Sequence, residues 1–227
     1  MKAQPRGAAA EPPRPRTKPQ DVRRDELMAS GEKLFLAQGV AATSIDDIAA
    51  GADIAKGTFY LYFASKEDFV AALRERFGFS LNDAVARAVA REAPDDWHGR
   101  LDAWVEAGVS FYLDQVPLHD ALFHAAGLHP RRRMARGDNR VVVELAKLLE
   151  AGSRAGAWHV AESTTSAVLL FNALHGAVDH AIAHGTQSER RKIVGAVQSF
   201  FARAVEPPSP RPRVRKRRLT PRRRSDS

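Results

Sequence analysis

From residue 21 to residue 206 the apolar side chains recur at steps of three and four, and no convincing alternation of apolar and polar residues interrupts them. That periodicity predicts an all-α chain of about nine helices. The first runs from about Val22 to Gln38, with Leu27, Gly31, Leu34 and Phe35 on one face and Gly39 in the usual position just past a helix end. A second, brief helix starts after Ser44, whose hydroxyl can cap the amide of Asp47 while Asp47 reaches back. A third spans about Lys56 to Tyr62. A fourth starts after Ser65 and continues through Phe69, Leu73, Phe77, Leu81 and Val85 to about Ala90. Longer patterns follow at about Trp97–Leu113, Leu118–Ala126, Arg132–Ser153, Glu162–His184 and Ser188–Val205, broken at Pro117, Pro130 and Gly156.

The charge is distributed unevenly. The chain carries a formal net charge of +8, yet residues 1–20 contribute +4 and residues 207–227 contribute +8, so residues 21–206 are net −4. Both ends are rich in Pro and Arg with almost nothing to bury, and they read as a disordered basic arm (1–20) and a disordered basic tail (207–227). The sequence contains no cysteine, which excludes disulfides and thiolate metal sites and fits a reducing, cytoplasmic setting. No stretch is long and apolar enough to suggest a membrane span, and no apolar core follows the basic N-terminus as a signal peptide requires.

Residues 44–63 read SIDDIAAGADIAKGTFYLYF. A short helix, a tight turn and a second short helix make a helix-turn-helix, whose second helix enters the major groove of DNA. Ala49 and Ala50 are small where two helices cross, and Ile48 and Ile54 can lock the pair. The second helix then offers Lys56, Gly57, Thr58, Tyr60 and Tyr62, with Gly57 permitting close approach of a DNA backbone. Lys56 and Thr58 can reach base edges or phosphate, and the two tyrosines can donate to phosphate or touch thymine methyls. Phe59 and Phe63 read as core.

The run GVAATSIDDIA from Gly39 and the run KGTFYLYFASKEDF from Lys56, together with Leu34-Phe35, resemble the N-terminal domain of the tetracycline-repressor (TetR) family over roughly Leu27 to Phe69. The resemblance implies a three-helix DNA-binding domain (21–66) followed by a long-helix ligand-binding and dimerisation domain (67–206). It implies DNA contacts at Thr43, Ser44, Lys56, Gly57, Thr58, Tyr60, Tyr62 and Lys66, with Lys66 and the hydroxyl of Thr43 or Ser44 on the phosphate backbone. It also implies a homodimer built on the last two helices and a double-stranded DNA operator from which a small-molecule effector releases the protein. Two positions depart from the family pattern: Asp53 stands where Gly is usual and Ala55 where Ser is usual. With residues 21–80 at net −3, these departures suggest modest operator affinity from this part alone.

In the second half aromatics at helical spacing are more often core than pocket, but the resemblance implies an effector cavity between the fifth, seventh and eighth helices, for which Trp104, Gly108, Tyr112, His119, Phe123, Phe171 and Asn172 are the candidate lining, with Gly108 leaving room and Tyr112, His119 and Asn172 as polar anchors. Phe171, Leu174, Val178, Val197, Phe200 and Phe201 exceed what one small bundle face turns to solvent and are the candidate dimer contacts. His180 and His184, like His175 and Asp179, are four apart, a spacing that can hold zinc, but satisfied histidines account for it as well and no metal or cofactor is expected. An enzyme using the helical cavity and a non-specific nucleic-acid binder working through its tails are the competing readings. The first lacks a nucleophile elbow, a phosphate-binding glycine loop or a convincing carboxylate pair. The second predicts no discrete footprint on DNA.

Overall fold

A computed structural model describes residues 19–123 and 140–206. Among these residues it contains nine α-helices, one 3-10 turn and no strand. The helices are α1 (Gln20–Ala42), α2 (Ile45–Gly51), α3 (Lys56–Phe59), α4 (Lys66–Val89), α5 (Trp97–Asp114), α6 (Val116–Phe123), α7 (Arg140–Arg154), α8 (Ser163–Ala183) and α9 (Arg190–Val205), the last preceded by the 3-10 turn Gln187–Glu189. The expected basic arm and tail lie outside the described residues, apart from Pro19 and Gln20. So do His124, His129, Pro130 and the expected start of α7 near Arg132.

Side-chain caps set the starts of α2, α4 and α5. Ser65 Oγ accepts from the amide of Asp68 at 3.0 Å, and Asp96 Oδ1 accepts from that of Gly99 at 2.8 Å, each satisfying one of the orphan donors of a first turn. Gly39 does not end α1 outright. It adopts φ +82°, open to glycine at little cost, and the helix resumes for one more turn in a new direction, seating Val40 in the core. α3 is shorter than its periodicity suggests. After Phe59 the chain tightens into turns, with Leu61 N donating to Thr58 O and Tyr62 N to Phe59 O.

The first core is aromatic. Phe59, Phe63 and Phe69 meet with ring centroids 4.9 to 5.5 Å apart, and Phe35 stands edge-on to Phe69 at 6.0 Å. Phe69 and Val70, on α4, are buried with this group although they lie beyond residue 66. α1 passes so close to Phe69 that a Cβ on Gly31 would fall 2.4 Å from two ring carbons. α4 then carries Phe77, Leu81 and Val85 into the second half, where it packs on α5, α6 and α7. Arg74 Nε donates to Leu122 O on α6 at 2.7 Å, and Arg76 pairs with Glu32 of α1 at 2.6 Å. α5 is flanked by α4, α8 and α9, with Trp104 stacked on Phe201 of α9. α7 and α8 pack together, and Trp158 closes the end of α7. Its indole N–H donates to Leu149 O at 2.8 Å, and its ring occupies the space a side chain at Gly152 would need.

Candidate nucleic-acid interface

The entry to α2 is a complete capping box. Asp47 N donates to Ser44 Oγ at 3.1 Å, while Asp47 Oδ2 accepts from Ser44 N at 2.8 Å and from its hydroxyl at 2.7 Å. These bonds, the backbone bond first, hold the Asp47 carboxyl below its ordinary value. α1 crosses α2 where Ser30 Oγ donates to Ile48 O at 2.9 Å and rests against Gly51. The small residues of that crossing are therefore Gly51 and the buried Ala49, whereas Ala50 faces outward.

The turn closes by Asp53 N to Ala50 O and Ile54 N to Ala49 O, both 3.0 Å. Asp53 takes φ +54°, a left-handed conformation that aspartate tolerates better than most residues and that glycine would take freely. Ala55 precedes α3 with no side-chain cap, as its sequence identity implied. Phe59 and Phe63 are buried, which orients the intervening residues outward: Tyr60 is 50 % exposed and Leu61 75 %. Leu61 is the residue the sequence reading missed. The signal was available, because Phe59 and Phe63 at i and i+4 define a buried face and Leu61 lies opposite it.

The expected DNA-facing residues divide by exposure. Ser44, Lys56, Gly57 and Tyr60 are exposed, and Thr58, Tyr62 and Lys66 are half-buried. Nothing approaches within 4 Å of the position a Cβ would take on Gly57. Lys56 Nζ donates to Asp46 Oδ2 at 2.8 Å, and that bond raises the lysine's pKa. Thr43 is buried, its hydroxyl donating to Gly39 O at 2.8 Å and accepting from Gln38 Nε2 at 3.3 Å. Its role in this geometry is to pin the end of α1, which leaves Ser44, its hydroxyl donating to Asp47, as the exposed member of the pair. Arg24, exposed on α1, lies over the Phe63 ring at 5.4 Å and sets a cation beside the same segment. Two short helices joined by a tight turn, the second presenting polar and apolar groups outward from a rigid aromatic core, define a helix-turn-helix DNA-binding protein.

The comparisons with known proteins agree with that class. Residues 27–73 match the model for bacterial regulatory proteins of the tetR family. The repressor NemR of Escherichia coli K12 is 30% identical over 93 residues, covering 41% of this chain and 39% of that protein. The regulator EthR of Mycobacterium tuberculosis H37Rv is 30% identical over 105 residues, covering 46% and 47%. The matched stretch thus spans less than half the length of either relative. Among solved structures, a TetR-family transcriptional regulator from Pectobacterium atrosepticum superposes with TM-score 0.62 at 22% identity, over 85% of this chain and 100% of the other. A tetR-family regulatory protein from Rhodococcus RHA1 superposes at 0.61 and 22% identity, over 82% and 98%. Residues 27–73 thus match the DNA-binding part of tetR-family regulators, and the chain as a whole shares the fold of solved regulators of that family.

The expected effector lining does not form one wall. Gly108 leaves no room, because Leu174 Cδ1 sits 3.1 Å from where its Cβ would be. Tyr112, His119, Phe123, Phe171 and His175 pack ring against ring with Phe77, and the two histidine Nε2 atoms approach to 3.2 Å. Burial raises the Tyr112 phenol's pKa. Asn172 is exposed on α8 and donates back to Val168 O at 2.7 Å. Trp104 lies apart from these rings and borders a cleft of about 480 Å³ between α4, α5 and α7.

The expected dimer residues also divide. Leu174, Val178, Val197 and Phe201 are buried within the protomer, so they have no area left to bury against a partner. Phe171 is half-buried. Phe200 is exposed, and it is joined on the outer faces of α8 and α9 by Val168 and Leu169, which the sequence reading did not single out. Apolar counts alone do not separate a helix face turned inward from one turned outward. His180 and His184 stack at 4.0 Å, and among the described residues no three metal-binding side chains cluster. Among the same residues no helix is long and apolar enough to cross a membrane.

Proposed function

We propose that this protein is a homodimeric transcriptional repressor that binds a palindromic double-stranded DNA operator and leaves it when a small apolar or aromatic effector binds the second half. The observation that carries the reading is the outward set Lys56, Gly57, Thr58, Tyr60 and Leu61, held on a segment whose opposite face is locked by Phe59 and Phe63. In this reading Lys56 exchanges Asp46 for DNA, Tyr60 and Leu61 reach the groove, and Ser44, Tyr62 and Lys66 meet phosphate. Two copies joined through Val168, Leu169 and Phe200 present two such segments to half-sites about 34 Å apart. Release requires an effector that binds the DNA-free arrangement more tightly than the DNA-bound one. The sign of regulation follows from where the operator lies relative to the promoter.

Selection from a randomised duplex pool, followed by footprinting, tests the proposal. The expected result is protection of a short palindrome, and Tyr60→Ala weakens that complex by about tenfold or more with unchanged circular dichroism, within the ~1–3 kcal/mol range of one lost base contact. Binding that enriches no sequence and leaves no discrete footprint would refute it in favour of tail-driven attraction, since residues 1–20 and 207–227 hold the chain's excess positive charge.

A further inference from the structure

Lys56 and Asp46 form an ion pair on the open face of the helix-turn-helix. Lys56 Nζ donates to Asp46 Oδ2 at 2.8 Å, and the two side chains are 52% and 63% exposed. The neighbouring Asp47 is committed to Ser44 by the capping box, whereas Asp46 Oδ1 makes no hydrogen bond among the described residues. An exposed pair of this kind adds little to stability. Yet it sets a carboxylate beside the first side chain of α3, where phosphate repels it unless a cation or a base amino group satisfies it.

We infer that Lys56 and Asp46 together read one G·C base pair in each half-site, Lys56 donating to guanine and Asp46 accepting from the amino group of cytosine. This rests on the major-groove reading proposed above and adds Asp46 to it as a specificity-determining residue. In a G·C pair the O6 acceptor of guanine and the N4 donor of cytosine are hydrogen-bonded to each other, about 2.9 Å apart. The ammonium and the carboxylate stand at nearly that spacing in the free protein, so each can exchange the other for one base of the pair. A T·A pair also sets an acceptor beside a donor in that order, and the flanking groups separate the two. Next to O6, guanine offers N7 as a second acceptor for an ammonium with three protons, where thymine places its methyl group. On the carboxylate side adenine presents the N7 lone pair, where cytosine presents only a C–H. The reversed pairs, C·G and A·T, bring donor to donor and acceptor to acceptor.

Parallel selection from one randomised duplex pool by the full-length protein and by full-length Asp46→Ala tests the inference, followed by fluorescence anisotropy on the duplex that the wild type enriches. The expected result is a fixed G·C pair in each half-site with the wild type. With Asp46→Ala, whose circular dichroism is unchanged, the preference at that pair relaxes. N4-methylcytosine keeps the Watson–Crick bonds and replaces the amino proton that faces the major groove with a methyl group. Placed at that cytosine in both half-sites, it weakens wild-type binding by about tenfold or more and Asp46→Ala binding by less than about twofold, the first figure being in the range of one lost base contact. Replacing the paired guanine by 7-deazaguanine likewise weakens the wild type and leaves Lys56→Ala unaffected. An enriched palindrome with the same base preferences for wild type and Asp46→Ala, or an equal effect of N4-methylcytosine on the two, would overturn the assignment and leave operator recognition standing. Enrichment of no sequence by the wild type would overturn both.

Discussion

Replacing Gly31 by alanine tests whether the close approach of α1 to Phe69 sets the geometry of the N-terminal core. On helix propensity alone the change stabilises by about 1 kcal/mol. In this structure the new Cβ falls 2.4 Å from Phe69 Cε1 and Cζ, against an ordinary carbon contact of about 3.5–4.0 Å, so the ring must withdraw by roughly 1 Å. Phe69 is fully buried and bounded by Phe35, Phe59 and Phe63, which leaves it nowhere to go cheaply. Overpacking of this kind costs about 1–3 kcal/mol, and the net expectation, after the propensity gain of about 1 kcal/mol, is destabilisation by up to about 2 kcal/mol. Phe69→Leu changes the sign. Leucine lacks the two clashing atoms, and the branch carbon nearest Gly31 lies at an ordinary 3.7 Å in the native ring. In the Phe69→Leu background, Gly31→Ala should therefore be neutral or stabilising by up to about 1 kcal/mol, a coupling of about 2 kcal/mol between the two sites. Urea unfolding of the four proteins, followed by far-ultraviolet circular dichroism, measures it. An equal effect of Gly31→Ala in both backgrounds, within about 0.5 kcal/mol, would refute the reasoning.

Three further outcomes follow from other features. Leu169→Glu, on the exposed face of α8, should yield folded monomers by sedimentation, and a wild-type dimer that survives it would move the interface elsewhere. Asp53→Ala should destabilise by about 1 kcal/mol, because alanine tolerates the left-handed turn less well than aspartate, whereas Asp53→Gly should hold stability within about 0.5 kcal/mol and tighten DNA binding by removing a negative charge; equal urea midpoints for the two variants would contradict this. Asp47 has a depressed folded-state pKa, so its cap contributes above the unfolded value near pH 4 and is lost as pH falls through the folded value. Asp47→Asn should thus flatten the acid limb of the stability curve below about pH 4, and an unchanged limb would show that the cap does not contribute.

How far the sequence disclosed this molecule depended on whether a feature is local. The capping box at Ser44 and Asp47, the left-handed turn at Asp53 and the burial of Phe59 and Phe63 all follow from residues within a few positions of one another, and each was readable. The end of α1 was not, because Gly39 permits both a stop and a kink, and the choice falls to the burial of Val40 by residues far along the chain. Gly108 looked like vacant space on α5, and only the packing of α8 reveals that Leu174 fills it. The apolar stripe of α8 did not disclose which way it turns: Leu174 and Val178 face inward, Val168 and Leu169 outward, and periodicity assigns no direction to a helix that is apolar on most sides.

α4 belongs to two neighbourhoods at once, anchored among the phenylalanines of the first core at Phe69 and bordering the Trp104 cleft at Val85 and Val89. Lys66 and Val85 are nineteen positions apart, about 28 Å along a helix rising 1.5 Å per residue. A stiff rod of that length is a lever. Tilting it by about 5° at the cleft sweeps its other end through about 2.5 Å, far beyond the few tenths of an ångström over which a hydrogen bond keeps its strength. A tilt of α4 that small therefore displaces the helix start at Ser65 and Lys66 by nearly a hydrogen-bond length, and the phenylalanines packed on Phe69 must move with it.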